Sequence, residues 1–416
     1  MAKSISKANA YRLFLTYSVA SRAFMVLVFT VNMVYFVTVA GLDPLQMVLV
    51  GTTLELSVFI FEIPTGVVAD SISRRFSVIL GVFLIGSGFV VQAVFVQFVM
   101  ILLAQVLWGV GYTFTSGALQ AWISDEIGEE KAANAFLHAA QVEQLGALAA
   151  TGLSVLLAIW SGMRLPMLLG GVLFWVLGFY LMARMPEHGY EASTIEKRDT
   201  WKAMGQTLGS GMHLVRGRPL LLRILLVGFF YGLYSEGLDR LWVPHVLDRF
   251  QLPAQGEAVM VGWVGALNAI GMSLTFVSAG VLRRWFGEQV PQGRIPLWLT
   301  VFSVLLVGSL VAFALAGNIW FSFGLLLLTG VLRDLINPLY MAWVNQRLDS
   351  SVRATIISMS SLVDAFGQIG GGPLVGMIAR QFTMQAGLLS SAALLSPVVL
   401  LLFLTANNHP SKDHSR

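Results

Sequence analysis

Cysteine is absent from the 416 residues, and charge is scarce: Asp, Glu, Lys and Arg make up 12% of the chain against 56% hydrophobic residues. Without cysteine there are no disulfides, no thiol nucleophile and no thiolate metal site. Soluble domains carry about 25% charged residues, so a water-soluble fold of this chain would expose apolar patches beyond what monomers tolerate. Motifs of enzymes are missing as well. No G-x-x-x-x-G-K-[ST] loop is present to cradle a nucleotide phosphate, and no H-E-x-x-H pattern gathers the six scattered histidines into a metal site. The sequence therefore supplies no catalytic residue, no metal ligand set and no cofactor motif.

What is there is a succession of apolar runs of the length that crosses about 30 Å of hydrocarbon. Mean hydropathy is +0.76. Twelve spans are expected, at 14–40, 45–69, 76–95, 97–122, 132–160, 164–186, 220–247, 257–286, 295–316, 319–346, 354–380 and 384–405. The first run follows Lys3, Lys7 and Arg12 and is too long for a cleavable signal peptide, so it reads as a permanent span. Pro186 to Pro219 is the one long polar connection. It divides the chain into an N-terminal six-helix bundle (1–186), a linker (187–219), a C-terminal six-helix bundle (220–405) and a tail (406–416).

Formal net charge is +4. The basic residues fall in short loops between apolar runs, which fits membrane topology and not nucleic-acid binding. Of 26 Lys and Arg, Arg22, Arg240 and Arg333 lie within spans; Arg164, Arg249 and Arg380 share one side, and the rest share the other. The positive-inside rule then places both termini in the cytoplasm. Within the linker Trp201, Met204, Leu208, Met212 and Val215 recur at helical spacing, with Lys202, Gln206 and Arg216 between them. That pattern fits a helix lying on the inner membrane face, or, since Gly205, Gly209 and Gly211 weaken it, an irregular polar linker. The tail from Asn407 to Arg416 reads as disordered.

After span 2 the chain reads Gly66-Val67-Val68-Ala69-Asp70-Ser71-Ile72-Ser73-Arg74-Arg75. This resembles the G-x-x-x-D-x-x-G-[RK]-[RK] signature of the major facilitator superfamily, with Ser73 in place of the usual glycine and Ser71 in place of a common arginine. The second half carries a degraded copy, Ser278-Ala279-Gly280-Val281-Leu282-Arg283-Arg284, which parallel repeats predict. The resemblance implies twelve transmembrane helices in two bundles, and a gating latch built from Gly66, Asp70, Arg74 and Arg75. Gly66 would permit close helix approach. The resemblance also implies a monomeric transporter of the bacterial cytoplasmic (inner) membrane, embedded in lipid, driven by a proton gradient and moving small molecules. Stretches 116–126, 232–242 and 367–373 are similar to drug:proton antiporters of the macrolide- and tetracycline-efflux-like branch. The G-P-x-x-G-G run which that branch carries in span 5 is replaced by Gly146-Ala147-Leu148-Ala149-Ala150-Thr151-Gly152. A dedicated uniporter or symporter of one metabolite, anionic or lipid-like, stays open beside antiport.

A charge at bilayer centre costs about 2.5–3.5 kcal/mol on insertion scales, so each marks a functional candidate. In span 7, Glu236 and Asp239 are spaced to share Arg240 on one helical face, either as a proton site with one excess carboxylate or as a structural ion pair. Glu55 and Glu62 lie seven apart in span 2; Glu62 is placed to pair with Arg22 or to carry a proton. Span 10 holds Arg333, Asp334 and Asn337 before Pro338, placed either for a substrate or proton-coupling role or for a pair between Arg333 and Asp364 of span 11 or a span 7 acid. Asp364 and Gln368 precede the Gly370–Pro373 run, which reads as helix packing. The superfamily resemblance implies that spans 1, 4, 7 and 10 line the cavity. Asn32, Tyr35, Gln105, Trp108, Tyr112, Tyr231 and Tyr234 could complete it, or serve packing; His138 and Gln141 lie in span 5. The acidic run Asp125, Glu126, Glu129, Glu130 either pairs with Arg74 and Arg75 or is solvated.

Overall fold

The computed structural model describes residues 2–190, 215–216, 218–250, 256–286, 295–346 and 350–407. The described residues are helical, with no strand among them. In chain order the helices are α1 (Ala2–Thr38), α2 (Pro44–Ser71), α3 (Arg74–Val94), α4 (Phe98–Thr115), α5 (Ala118–Ile127), α6 (Glu129–Ser161) and α7 (Arg164–Arg184). They continue with α8 (Pro219–Arg249), α9 (Glu257–Phe286), α10 (Ile295–Leu315), α11 (Ile319–Gln346), α12 (Ser350–Gln381), α13 (Met384–Leu395) and α14 (Pro397–Asn407). By length and composition they supply 12 candidate membrane spans. The expected linker helix lies outside the described residues apart from Val215 and Arg216, and so does the tail after Asn407.

Local chemistry fixes where helices begin. Asp43 and Gln46 form a reciprocal capping box at α2: Gln46 N–H donates to Asp43 Oδ1 at 2.9 Å and Asp43 N–H to Gln46 Oε1 at 3.0 Å. Pro44, at the first helical position, loses no hydrogen bond there. Ser73 caps α3 from an extended backbone by accepting Phe76 N–H at 2.9 Å. Two expected spans are broken. Span 4, expected to be continuous over 97–122, stops at Thr115 and restarts at Ala118, because Gly117 takes φ 69° and ends the ladder. Span 12 is interrupted at Ser396 ahead of Pro397, whose ring nitrogen has no proton to donate.

Contacts group the described residues of 1–42, 53–203 and 252–266 into one compact unit, and those of 43–52, 204–251 and 267–416 into a second. Both rely on small residues where helices touch backbone to backbone, since lipid offers no hydrophobic drive between helices. In unit 1 a Cβ on Gly111 of α4 would sit 2.7 Å from the Gly81 carbonyl oxygen of α3, and one on Gly86 would sit 2.7 Å from the Gly171 carbonyl of α7. In unit 2, α8 and α12 lock through Gly232 on the Asp364 backbone, Gly367 on Phe229 and Gly371 on Leu233, while Gly370 is open. Tyr35, Phe36, Phe89 and Phe174 are fully buried in unit 1, and Trp343 and Phe313 in unit 2.

Replacing Gly111 by alanine therefore forces α3 and α4 apart and costs about 1–3 kcal/mol, read as a lower melting temperature in detergent. Gly308→Ala in α10 meets nothing within 4 Å and leaves the melting temperature unchanged or slightly raised.

Candidate functional site

The signature residues form a dense polar knot where α2 meets α3. Arg74 pairs with Asp125 of α5 and stands 3.8 Å from Asp70. Its guanidinium lies over the Tyr190 ring, 5.9 Å from the centroid, and the Tyr190 hydroxyl donates to the Asp70 carbonyl at 2.9 Å. Arg75 donates from Nη2 to the Met182 carbonyl at 2.6 Å. Glu187, just past α7, accepts from the Ser73 hydroxyl at 2.7 Å and from Arg75 N–H at 2.9 Å. Glu126 accepts the backbone N–H groups of His188 and Gly189, and Trp122 donates to the Pro186 carbonyl at 2.6 Å. Asp125 and Glu126 thus have partners, whereas Glu129 and Glu130 are exposed. At Gly66 an added Cβ meets nothing within 4 Å among the described residues, so no close helix approach is seen there.

Inside unit 1 a chain of amides runs between helices. Gln92 of α3 donates to Asn32 of α1 at 2.6 Å, Gln105 of α4 donates to Gln92 at 2.7 Å, and the Trp108 indole donates to Gln105 at 2.8 Å. Tyr35 adds a hydrogen bond to the Gln92 carbonyl at 3.1 Å. Asn32, Gln92 and Gln105 are buried, and the chain gives each a partner, as burial in a low dielectric demands. Tyr112 lies one turn beyond Trp108 and is within electrostatic reach of Glu62 and Glu55. Arg22 forms no ion pair with Glu62 among the described residues; it faces Glu143 of α6, which also meets Ser18. His138 shares a 2.8 Å hydrogen bond with Tyr11, and Gln141 is exposed.

In unit 2 the charges sort into one pair within a helix, which spacing gives, and one between helices, which spacing leaves open. Glu236, 4% exposed, pairs with Arg240 at 3.2 Å, and its carboxylate lies against the backbone of Gly51, in the part of α2 belonging to this unit. Asp239 reaches beyond its own helix. It binds Arg333 of α11 in a two-pronged contact, with Nη2 donating to Oδ2 at 2.8 Å. Arg333 also lies over the Tyr234 ring, 5.8 Å from the centroid. Asp364 accepts the Gln368 amide at 2.8 Å, and Asp334 accepts the Thr275 hydroxyl at 2.7 Å. Tyr231 shares a 2.8 Å hydrogen bond with Ser303, and Asn337 is exposed. α11 thus brings a second guanidinium to the two α8 acids, beside Arg240.

Gln92, Glu143, Glu187 and Tyr190 escape the sequence reading. Glu143 carried a signal, being a charge inside an apolar run. Gln92 carried only its polarity.

The Asp239–Arg333 pair is open to a double-mutant cycle. Because the Asp239 side chain is 42% exposed, its coupling to Arg333 is expected on the order of 1 kcal/mol and not the value of a fully buried pair. Asp239→Asn and Arg333→Gln each lower the melting temperature, and the double variant recovers part of the loss.

Comparison with known proteins agrees with this architecture. A relative from Bacillus subtilis (strain 168), the "Uncharacterized MFS-type transporter YxaM", is 24% identical over 373 residues, covering 86% of this chain and 87% of that protein. The crystal structure of the nucleoside transporter NupG superposes with a TM-score of 0.76 at 14% identity, over 97% of this chain and 100% of that one. A bacterial homologue of the human lysosomal transporter Spinster, in an inward-facing and unoccupied conformation, gives 0.74 at 15% identity, over 97% of both chains. At such identities the structures speak to fold alone. The family model for the Major Facilitator Superfamily matches residues 13–293, more than half of the sequence, and the chain belongs to that superfamily of membrane transporters.

Proposed function

We propose that this transporter is a proton-coupled exporter of amphipathic organic cations. It works as a monomer in the bacterial inner membrane with both termini cytoplasmic, and needs no cofactor beyond the proton gradient. The observation that carries the reading is the balance of charge along the helices. In unit 2 the guanidiniums of Arg240 and Arg333 are matched by Glu236 and Asp239, and Asp334 and Asp364 are held by a hydroxyl and an amide. In unit 1 Glu55, Glu62 and Glu143 stand against Arg22. An interior in which carboxylates outnumber guanidiniums attracts cations and protons and repels anions.

Glu236 is the coupling acid in this reading, assisted by Glu55 or Glu62. It is the most buried of the unit 2 acids named above, and it touches both Arg240 and the Gly51 backbone. A proton on Glu236 breaks the pair with Arg240 and changes how α2 packs on α8. That links protonation to helix position, the link that alternating access requires. The alternative, a dedicated uniporter or symporter of one anionic or lipid-like metabolite, draws on the missing span 5 run and on three intramembrane arginines, two of which are paired with acids.

Inside-out vesicles with an acid interior and a pH-sensitive dye test the proposal. Several unrelated organic cations are expected to release protons, and Glu236→Gln to cut the rate more than tenfold. Silence with the cations, together with release on adding nucleosides or anionic metabolites, overturns it.

A further inference from the structure

Unit 1 carries an aromatic surface that its core does not use up. Phe29 of α1 is 37% exposed and Tyr112 of α4 is 42% exposed, with the half-buried Trp108 between them. Ring centroids are 5.7 Å apart from Phe29 to Trp108 and 6.4 Å from Trp108 to Tyr112, so the three rings form one continuous patch. A lipid-facing patch would look similar but for its neighbours. Glu62, itself exposed, and Glu55 both stand within electrostatic reach of Tyr112. Exposed carboxylates inside a span face a water-filled cavity or the protein interior and not hydrocarbon. The aromatic patch beside them therefore faces water as well.

From these observations we infer that Phe29, Trp108 and Tyr112 form a recognition site for the flat aromatic body of an organic cation, with Glu62 as its counter-charge and Gln92 as the residue that holds the site in shape. The inference rests on the proposed export of organic cations and narrows it to planar, aromatic ones. The rings meet tilted and edge-on, so they leave faces open to a flat π-system, and those negative faces favour positive charge. Glu62 makes no ion pair among the described residues, so its charge is available to a ligand.

Gln92 does not touch the patch. It is 1% exposed and takes both neighbours of the amide chain, donating to Asn32 and accepting from Gln105, whose own carbonyl accepts the Trp108 indole. A hydrogen bond so placed restrains the indole about its side-chain bonds. A ligand stacking on it then loses less to ordering, which is the advantage of preorganisation. Gln92 is thus a positioning residue. Its removal should weaken binding of ligands that need the fixed ring plane and spare those that need only charge.

Purified full-length protein in lipid nanodiscs provides the test, with two probes of equal charge: planar ethidium, and tetrapropylammonium, which has no ring. Trp108→Ala is expected to weaken ethidium binding about tenfold or more while changing tetrapropylammonium less than twofold. Gln92→Leu is expected to weaken ethidium several-fold, again sparing tetrapropylammonium. Trp108→Phe keeps a ring but loses the tether and should fall between, which covers the case in which Gln92→Leu does not fold. Glu62→Gln is expected to weaken both probes. Unchanged ethidium binding in Trp108→Ala, equal losses for the two probes in that variant, or no ethidium binding by the wild type would overturn the site. Failure of the export reading looks different: ethidium binds the wild type with the predicted variant pattern, yet its addition to vesicles releases no protons.

Discussion

A charge held away from water must meet its opposite or a set of hydrogen bonds, and this requirement shapes the polar interior of both units. Arg333, only half-buried, already shows the demand where shielding is partial. Its guanidinium is planar and two-pronged, the carboxylate of Asp239 fits it along both edges, and the Tyr234 ring covers it nearby. The pairing joins α11 to α8, so satisfying one charge also fixes two helices in register. Glu236 and Arg240 do the same within α8, one turn apart. Where no charge is involved the rule is met with amides, in the chain from Asn32 through Gln92 to Gln105. Glycines then bring the helices close enough for such short side chains to reach.

The departure from the superfamily signature at Ser73 has a physical use. Glycine at that position offers a flexible turn and nothing more. Serine offers a hydroxyl that accepts from Phe76 N–H and donates to Glu187, so it caps α3 and fastens the segment following α7 in one stroke. The acidic residues Asp125 and Glu126 complete the fastening from α5. A motif that reads as weakened is here tied to the chain around it.

Much of this was legible in the sequence, and what was not has definite causes. Span number follows from hydropathy and length alone, and the structure shows 12 candidate spans. The pair Glu236 and Arg240 follows from spacing on one helix. Asp239 and Arg333 lie 94 residues apart, and spacing left Arg333 between Asp364 and a span 7 acid. The break at Ser116–Gly117 was hidden because small residues in an apolar run look like helix packing until the backbone turns. Gln92 was hidden for another reason. An uncharged amide marks no function by itself, and only the two partners from α1 and α4 reveal its place in a chain.

That break in turn separates two tasks which one straight helix would have tied together. α4 carries Trp108 and Tyr112, while α5 carries Trp122, Asp125 and Glu126, each bound to a neighbouring segment. Gly117 adopts a backbone conformation that side chains rarely tolerate, and no helical ladder crosses it. The helical register of α4 therefore ends at this joint and is not carried into α5. The direction in which Trp108 and Tyr112 project is set by α4 alone, and that of Trp122, Asp125 and Glu126 by α5 alone, so neither set of side chains is bound to the other's register.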